Sequence, residues 1–296
     1  MSSALRIGTR RSRLALAQTD LVVRALARRS PRLRTEVVPL VTSGDRRRGR
    51  TPDFTDSLER ALEQDAIDVA VHSAKDLNRD LRPGLTIAAT LPRADPRDAF
   101  VRPRGASRPL PADGVTVGSS SPRRRAQLLR GRPGWEVVEL RGNVDRRLDQ
   151  LDHGRFDVLC LAVAGLERLG AADRIAERLP VGRFVPSPGQ GTIALEVRED
   201  DRATLRAVQR IDHPVSRARL TAERAAARAV DGDCDRPFGA LAVAHGRRLD
   251  LIAEALSSDG RRTVRVRASG SIAAPSDVGR RAGAALTTRG AHRLWA

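Results

Sequence analysis

Apolar positions in the first part of the chain alternate between two spacings, one typical of strands and the other typical of helices. Short apolar runs at residues 5–8, 37–41, 67–71 and 85–91 predict buried strands, and residues 14–26 and 58–62 have helical spacing. The predicted buried face of the first helix comprises Leu14, Ala17, Leu21, Val22, Ala25 and Leu26. This alternation predicts an α/β domain in which crossover helices connect parallel strands.

A second series follows residues 95–113, a stretch rich in proline and charge that we interpret as a crossing between domains. The series comprises predicted strands at residues 115–118, 137–140 and 158–162 and predicted helices at residues 123–130 and 144–151. After a sharp turn at residues 186–191, residues 192–197 predict a strand that returns to the first domain. We therefore expect two α/β domains around a cleft, where small ligands usually bind.

The last part of the chain has a different pattern, with a long helix, short strands and a final helix around residues 278–289. This order predicts a small α+β domain. The predicted domains are residues 1–93 with 191–211, residues 97–187, and residues 214–296.

Two segments of similar pattern open the two α/β series. RIGTRRSRLALAQ at residues 6–18 and TVGSSSPRRRAQL at residues 116–128 both run from a strand through Gly and hydroxyl residues into arginine and a helix. The similarity is either a common turn pattern or a structural repeat. A repeat would direct one helix N-terminus, with its free N–H groups, toward an anion in each domain.

Composition limits the kind of core and the cellular compartment. Apolar residues make up 40% of the chain but aromatic residues only 2%, so the cores must consist mainly of aliphatic side chains. The sequence contains neither a membrane-spanning run nor a signal-peptide pattern at its start, and we expect a cytoplasmic protein. Cys160 and Cys234 lie in unrelated contexts, which favours a reducing compartment over a disulfide.

The formal charge of +18 requires an anionic partner, a bias toward arginine, or both. The candidate ligand-binding arginines are those that follow predicted strand ends, namely Arg10, Arg123, Arg124 and Arg141. Since guanidinium groups bind carboxylates in a bidentate manner, these positions favour a substrate with several carboxylates. Nucleic acid is the rival partner, but the chain has few aromatic residues for stacking and no recognition-helix signature.

The segment HSAKD at residues 72–76 follows a predicted buried strand and contains Lys75, the only lysine of the chain. A carboxylate such as Asp76 at a strand end, beside a cation, suits acid or electrostatic catalysis on a bound ligand. The alternative is a local ion pair that caps a loop.

Cys234 lies in a turn of Gly, Asp and Pro after a long helix and is expected to be accessible. Three neighbouring aspartates disfavour a resting thiolate, so a stable covalent anchor is more natural than a turnover nucleophile. Cys160, within an apolar run, is predicted to be a core residue. No cluster has metal-ligand spacing, and no metal is predicted.

Taken together, the segments resemble the porphobilinogen deaminase family. The matching segments, in the order of the family, are RIGTRRS (6–12), HSAKD (72–76), DPRDAF (95–100), GSSSPRR (118–124), LRGNV (140–144), LAVAGL (161–166), PGQG (188–191), TAER (221–224) and GDC (232–234). Each segment is a weak motif alone, but jointly they are highly specific and cover nearly the whole chain.

The resemblance implies two α/β domains similar to periplasmic binding proteins, a small C-terminal domain, and a dipyrromethane cofactor attached to Cys234 through a thioether. It implies an enzyme that deaminates four porphobilinogen molecules and joins them into hydroxymethylbilane. Asp76 would be catalytic, stabilising the cationic azafulvene that forms as ammonia departs. The positions implied to bind cofactor or substrate are Arg10, Ser12, Lys75, Ser121, Arg123, Arg124, Arg141, Arg147, Arg168 and Gln190. We expect a cytoplasmic monomer without nucleic-acid or membrane partners.

One stretch departs from the family, which usually has a longer, lysine-containing loop over the active site after Gly44-Asp45. Here residues 46–56 are shorter and contain no lysine. Either the arginines of this stretch substitute, or the chain is a specialised paralogue with altered lid closure. A non-catalytic binder of anionic metabolites and a nucleic-acid binder stay open as alternatives, but neither has a use for Cys234.

Overall fold

The computed structural model of this chain describes residues 4–41, 55–106, 109–232 and 236–295. The chain divides into two compact units, Met1–Arg93 with Thr192–Arg217 and Ala94–Gly191 with Ala218–Ala296. Within the described ranges the strands form two five-stranded sheets and one three-stranded sheet. None of the helices described here is both long enough and apolar enough to cross a membrane. The bounds of the three expected domains stay a prediction.

The elements follow the predicted alternation closely. The strands are β1 (Leu5–Arg10), β2 (Thr35–Leu40), β3 (Val69–Ser73), β4 (Leu85–Thr90), β5 (Asp98–Val101), β6 (Thr116–Gly118), β7 (Glu136–Val138), β8 (Val158–Ala162), β9 (Ile175–Arg178), β10 (Ile193–Arg198), β11 (Phe238–His245), β12 (Arg248–Leu256) and β13 (Thr263–Ser271). The α-helices are α1 (Arg13–Arg29), α2 (Asp56–Glu63), α3 (Pro122–Gly131), α4 (Val144–Asp152), α5 (Val163–Arg168), α6 (Arg202–Gln209), α7 (Pro214–Ala229) and α8 (Pro275–Thr288).

The first sheet lies in the first unit and has the strand order β2-β1-β3-β10-β4. β1 is parallel to β2 and β3, as the alternation of strands and helices predicts. β10 returns to this sheet as expected, but it is antiparallel to β3 and β4, so the prediction of parallel strands is wrong here. β10 follows a turn rather than a crossover helix, and an antiparallel neighbour needs no such helix.

The second sheet has the order β7-β6-β8-β5-β9, which repeats the first sheet strand for strand. β6 is parallel to β7 and β8, and β5 is antiparallel to β8 and β9. The similar pattern of residues 6–18 and 116–128 therefore reflects a structural repeat. The interpretation of residues 95–113 as a crossing is wrong in part, because Asp98–Val101 forms the buried strand β5.

The buried face of α1 agrees with the predicted face in part. Val22 and Leu26 are buried as predicted, whereas Leu21 is 40% exposed. Gln18 and Thr19 also lie on the buried face, which was not predicted. Both polar side chains are satisfied there, since the Gln18 amide lies 2.8 Å from the Ser73 hydroxyl and the Thr19 hydroxyl donates to a carbonyl oxygen within the helix.

The C-terminal part is the predicted α+β structure, an antiparallel sheet of order β11-β12-β13 packed against α7 and α8. The two helices approach closely where α8 carries glycine. A Cβ atom at Gly279 would lie 2.6 Å from the Ala225 Cβ and 3.0 Å from the Ala226 nitrogen, and it would also clash with the Ala222 carbonyl oxygen. The absence of a side chain at Gly279 is therefore a condition of this packing.

We predict that Gly279→Ala lowers the free energy of unfolding by about 1–3 kcal/mol, because the added methyl group forces α7 and α8 apart. Chemical denaturation of the purified variant measures this loss. Gly182→Ala is the matched control, since a Cβ atom there meets nothing within 4 Å. An equal effect of both substitutions would contradict the close approach of the helices.

Candidate active site

The parallel strands β1 and β3 end at the same edge of the first sheet, and the predicted site residues of this unit follow these ends. Arg10 is the last residue of β1, and Ser12 caps the N-terminus of α1. Lys75 and Asp76 lie in a short 3-10 helix of one turn, Ala74–Asp76, directly after β3. Arg10, Lys75 and Asp76 are half-buried. The structure therefore gathers the cations and the candidate catalytic carboxylate of this unit at one sheet edge, where α/β proteins commonly bind ligands.

Two contacts fix the turn that carries Asp76. The Ser73 hydroxyl lies 2.8 Å from the amide nitrogen of Gln18, which belongs to α1. The Ala74 backbone N–H donates to the carbonyl oxygen of Thr192, just before β10, at 3.0 Å. The turn is thus held by a helix on one side and by the returning strand on the other.

A buried set of ionisable groups lies at the same end of β3. His72 Nε2 is 2.9 Å from the Glu196 Oε2 of β10, and both side chains are almost inaccessible to solvent. Burial, together with the nearby charge of Glu196, raises the pKa of Glu59 to about 6. No role was predicted for His72, Glu196 or Glu59 from the sequence, although His72 lies within the HSAKD segment.

Arg123 and Arg124 occupy the first turn of α3, behind the N-cap residue Ser121. Both guanidinium groups are buried and share the carboxylate of Asp98 on β5, with Arg123 Nη1 2.7 Å from Oδ2 and Arg124 Nη2 2.8 Å from Oδ1. Burial alone raises the pKa of Asp98, but the two arginines outweigh burial and hold its pKa well below the ordinary value. Asp98 is therefore ionised, and the cluster of three side chains keeps one net positive charge.

Gln190 and Arg168 adjoin this cluster through the PGQG turn. Gln190 is fully buried, and its Nε2 donates to Asp98 Oδ1 at 2.9 Å and to the Pro96 carbonyl oxygen at 2.7 Å. Arg168 Nη2 donates to the Gly191 carbonyl oxygen at 2.7 Å, and burial lowers the pKa of Arg168 to about 10. The structure thus brings together Ser121, Arg123, Arg124, Gln190 and Arg168, all of them predicted.

Arg141 and Arg147 form another group, around Gly142. Arg141 is exposed, and its Nε lies 2.8 Å from Glu139 Oε1. Arg147 is half-buried on α4, and its Nε donates to the Gly142 carbonyl oxygen at 2.7 Å. Arg141 and Arg147 are thus more accessible to solvent than Arg123 and Arg124 of the Asp98 cluster.

One nitrogen of the buried cluster is unsatisfied within the described part of the chain. Arg123 Nη2 is buried and has no hydrogen-bond partner among the described residues. A buried donor of a cation is unfavourable when it stays unsatisfied, so a bound anion would complete the site. Carboxylates are suitable anions, because they form short charge-assisted hydrogen bonds with guanidinium groups.

Several predicted positions lie outside the described residues. They are Cys234 and the arginines of the shortened loop, Arg46, Arg47, Arg48 and Arg50. The covalent anchor and the role of the loop accordingly stay predictions.

Asp98 belongs to the candidate site but was not predicted from the sequence. It lies within the DPRDAF segment, which was interpreted as a crossing because of its proline and charge. A signal was available, since a single carboxylate precedes the apolar residues Ala99, Phe100 and Val101, and a charge in a buried strand is rare without a partner.

The two five-stranded sheets of one topology and the small antiparallel sheet define a class of mixed α/β protein. A sequence model described as "Porphobilinogen deaminase, dipyromethane cofactor binding domain" matches residues 5–206, and one described as "Porphobilinogen deaminase, C-terminal domain" matches residues 218–288. The chain belongs to the porphobilinogen deaminase family.

Individual proteins show the same similarity. The porphobilinogen deaminase of Desulforudis audaxviator is 42% identical, over 98% of this chain and 96% of its own length. That of Roseiflexus castenholzii is 40% identical, over 100% of both chains. The solved periplasmic VFT2 domain of Bordetella pertussis BvgS is 16% identical over 70% of this chain and 86% of that chain, with a TM-score of 0.43.

We predict that Asp98→Asn lowers the free energy of unfolding at pH 7 by about 3–5 kcal/mol, because it leaves two buried guanidinium groups without a counter-charge. Denaturant titration measures the loss. Since the folded-state pKa lies below the ordinary value of 3.8, the advantage of the parent protein is present above that pH and is lost as the pH falls below it.

The control for this variant is Asp277→Asn, which removes an exposed carboxylate paired with Arg280. Exposed pairs contribute little to stability, so we expect almost no change. A loss at Asp277 as large as the loss at Asp98 would contradict the importance of the buried charge.

Proposed function

We propose that this chain is a hydroxymethylbilane synthase that condenses four porphobilinogen molecules head to tail, releases ammonia, and builds the product on a dipyrromethane cofactor attached to Cys234. The proposal rests on one observation in this member of the family: Asp76 lies beside Lys75 at the carboxyl end of β3. A charged strand end of this kind suits the stabilisation of charge that develops during a reaction.

Asp76 is proposed to be the catalytic residue. Its carboxylate would accept hydrogen bonds from pyrrole N–H groups of the substrate. When the C–N bond to the leaving ammonia breaks, positive charge develops on the pyrrole, and a fixed carboxylate lowers the energy of that state. The contacts of Ser73 and Ala74 with α1 and Thr192 fix the turn in advance, so little reorganisation is needed.

The arginines are proposed to bind the acetate and propionate groups of the pyrrole rings. The Asp98 cluster has an excess positive charge, and its buried Arg123 Nη2 has no hydrogen-bond partner among the described residues. Arg10, Ser12 and Lys75 of the first unit and Ser121, Arg124, Arg141, Arg147, Arg168 and Gln190 of the second complete the proposed set. The carboxylate arms of a dipyrromethane are anions of the kind that guanidinium groups bind, and the cofactor would supply the primer to which substrate units are joined.

We also propose that the enzyme acts in the cytoplasm as a monomer, with porphobilinogen as its partner and without nucleic acid or membrane. A reducing compartment agrees with Cys160, a free cysteine in the core. Burial raises the pKa of the Cys160 thiol to about 12, so this group stays protonated and unreactive.

The first test is the intact mass of the purified protein. We predict that the parent protein carries the added mass of a dipyrromethane and that Cys234→Ser removes it, because the thioether has no sulfur to form on. Cys160→Ala is the matched control and is expected to keep the addition. A Cys234→Ser protein that retains the added mass would refute the anchor.

The second test is the rate of ammonia and bilane formation from porphobilinogen. We predict that Asp76→Asn lowers turnover per cofactor-loaded molecule by about two to three orders of magnitude, as expected when a group that stabilises transition-state charge is neutralised. Asp80→Asn, at a position 64% exposed, is the control and is expected to keep normal turnover. Near-normal turnover of Asp76→Asn would overturn its assigned role, and a parent protein with neither covalent mass nor ammonia release would favour a non-catalytic binder.

A further inference from the structure

Glu254 is a fully buried carboxylate in β12, on the C-terminal sheet. It accepts hydrogen bonds from Gln127 Nε2 at 3.0 Å, from Arg130 Nη1 at 2.9 Å and from Arg265 Nε at 2.7 Å. Gln127 and Arg130 belong to α3, the helix whose first turn carries Arg123 and Arg124. A buried carboxylate is unfavourable without such partners, so these hydrogen bonds hold the C-terminal sheet against α3.

The contact continues from Glu254 to the buried arginine cluster. The Gln127 Oε1 accepts a hydrogen bond from Arg123 Nη1 at 2.9 Å, and the same nitrogen donates to Asp98. An amide donates at one end and accepts at the other. With Nε2 directed to Glu254 and to the Val185 carbonyl oxygen, Oε1 is directed to Arg123. Glu254 and the Val185 carbonyl oxygen therefore together fix which end of Gln127 faces the guanidinium group.

The backbone joins the same two parts of the molecule. Glu254 pairs with Gly239 across β11 and β12, and a Cβ atom at Gly239 would lie 2.6 Å from the Val185 carbonyl oxygen. The Ala240 backbone N–H donates to the Pro186 carbonyl oxygen at 2.9 Å. β11 begins at Phe238, shortly after the proposed anchor Cys234. The start of β11 and the guanidinium group of Arg123 thus both contact residues 185–186.

We propose that Glu254 is a positioning residue for the reaction, which acts through Gln127 to orient the Arg123 guanidinium group toward the carboxylates of the pyrrole ligand. The inference rests on the proposed function. Arg130 and Arg265 also donate to the carbonyl oxygens of Arg183 and Gly182, contacts that do not involve Gln127. The link through Gln127 connects Glu254 to Arg123, a group that is proposed to bind the ligand.

The test compares Glu254→Gln and Gln127→Met with the parent protein. Glu254→Gln removes the charge that orients Gln127, and Gln127→Met keeps the side-chain shape but removes the link while leaving both arginines on Glu254. We expect each variant to raise the KM for porphobilinogen about fivefold to tenfold, as a weakened hydrogen bond to a charged ligand would. The kcat per cofactor-loaded molecule should stay within about twofold, since Asp76 is untouched.

A double variant gives a second readout. Because both substitutions break one link, the KM of the double variant should not exceed that of the weaker-binding single variant. Asp250→Asn is the control, since Asp250 lies on the same strand but pairs with Arg248 at the surface. It should leave KM unchanged.

The outcomes separate positioning from simple stability. A purely structural Glu254 would lower the melting temperature and leave the KM of the folded enzyme unchanged, which overturns the proposal. A rise in KM for Glu254→Gln but not for Gln127→Met would also overturn the proposal. The same holds if the effects of the two substitutions on KM add up in the double variant. If Glu254→Gln does not fold, Gln127→Met alone decides. Bilane formation by the parent protein is measured first, and its absence would refute the proposed function rather than this inference.

Discussion

The fold of the second unit depends on one buried carboxylate that pairs with two buried arginines. Without Asp98, the guanidinium groups of Arg123 and Arg124 would lie in the core with no counter-charge, a state that costs several kcal/mol. With Asp98 in place, both arginines can occupy the first turn of α3 and still leave one positive charge. The antiparallel course of β5 brings Asp98 to this position, and Gln190 holds it there.

The two five-stranded sheets have one topology and two different chemistries. β1 and its counterpart β6 each lead into a helix whose N-cap is a serine, Ser12 in one sheet and Ser121 in the other. The central parallel strands then diverge, since β3 is followed by the short turn that carries Asp76 whereas β8 is followed by α5. The repeat thus supplies two similar frames, of which one carries a half-buried carboxylate and the other a buried cluster of arginines.

The local pattern predicted most elements, because apolar spacing reports on burial one segment at a time. Strand direction was predicted less well, as β10 shows, since it depends on the route of the chain rather than on periodicity. The predicted arginines at the strand ends were found there, but Asp98 was missed because its partners are distant in sequence. Gln18 was missed for the same reason, because only the Ser73 side chain explains a buried amide on α1.

The position of β10 has a consequence for how the protein is made. β10 lies between β3 and β4, so the first sheet lacks an inner strand until residue 198 has been synthesised. The strands of the second sheet all lie between residues 98 and 178, in one continuous stretch. Domains usually fold on the ribosome from the N-terminus onward. Here the first sheet gains its last inner strand only after every strand of the second sheet has been synthesised.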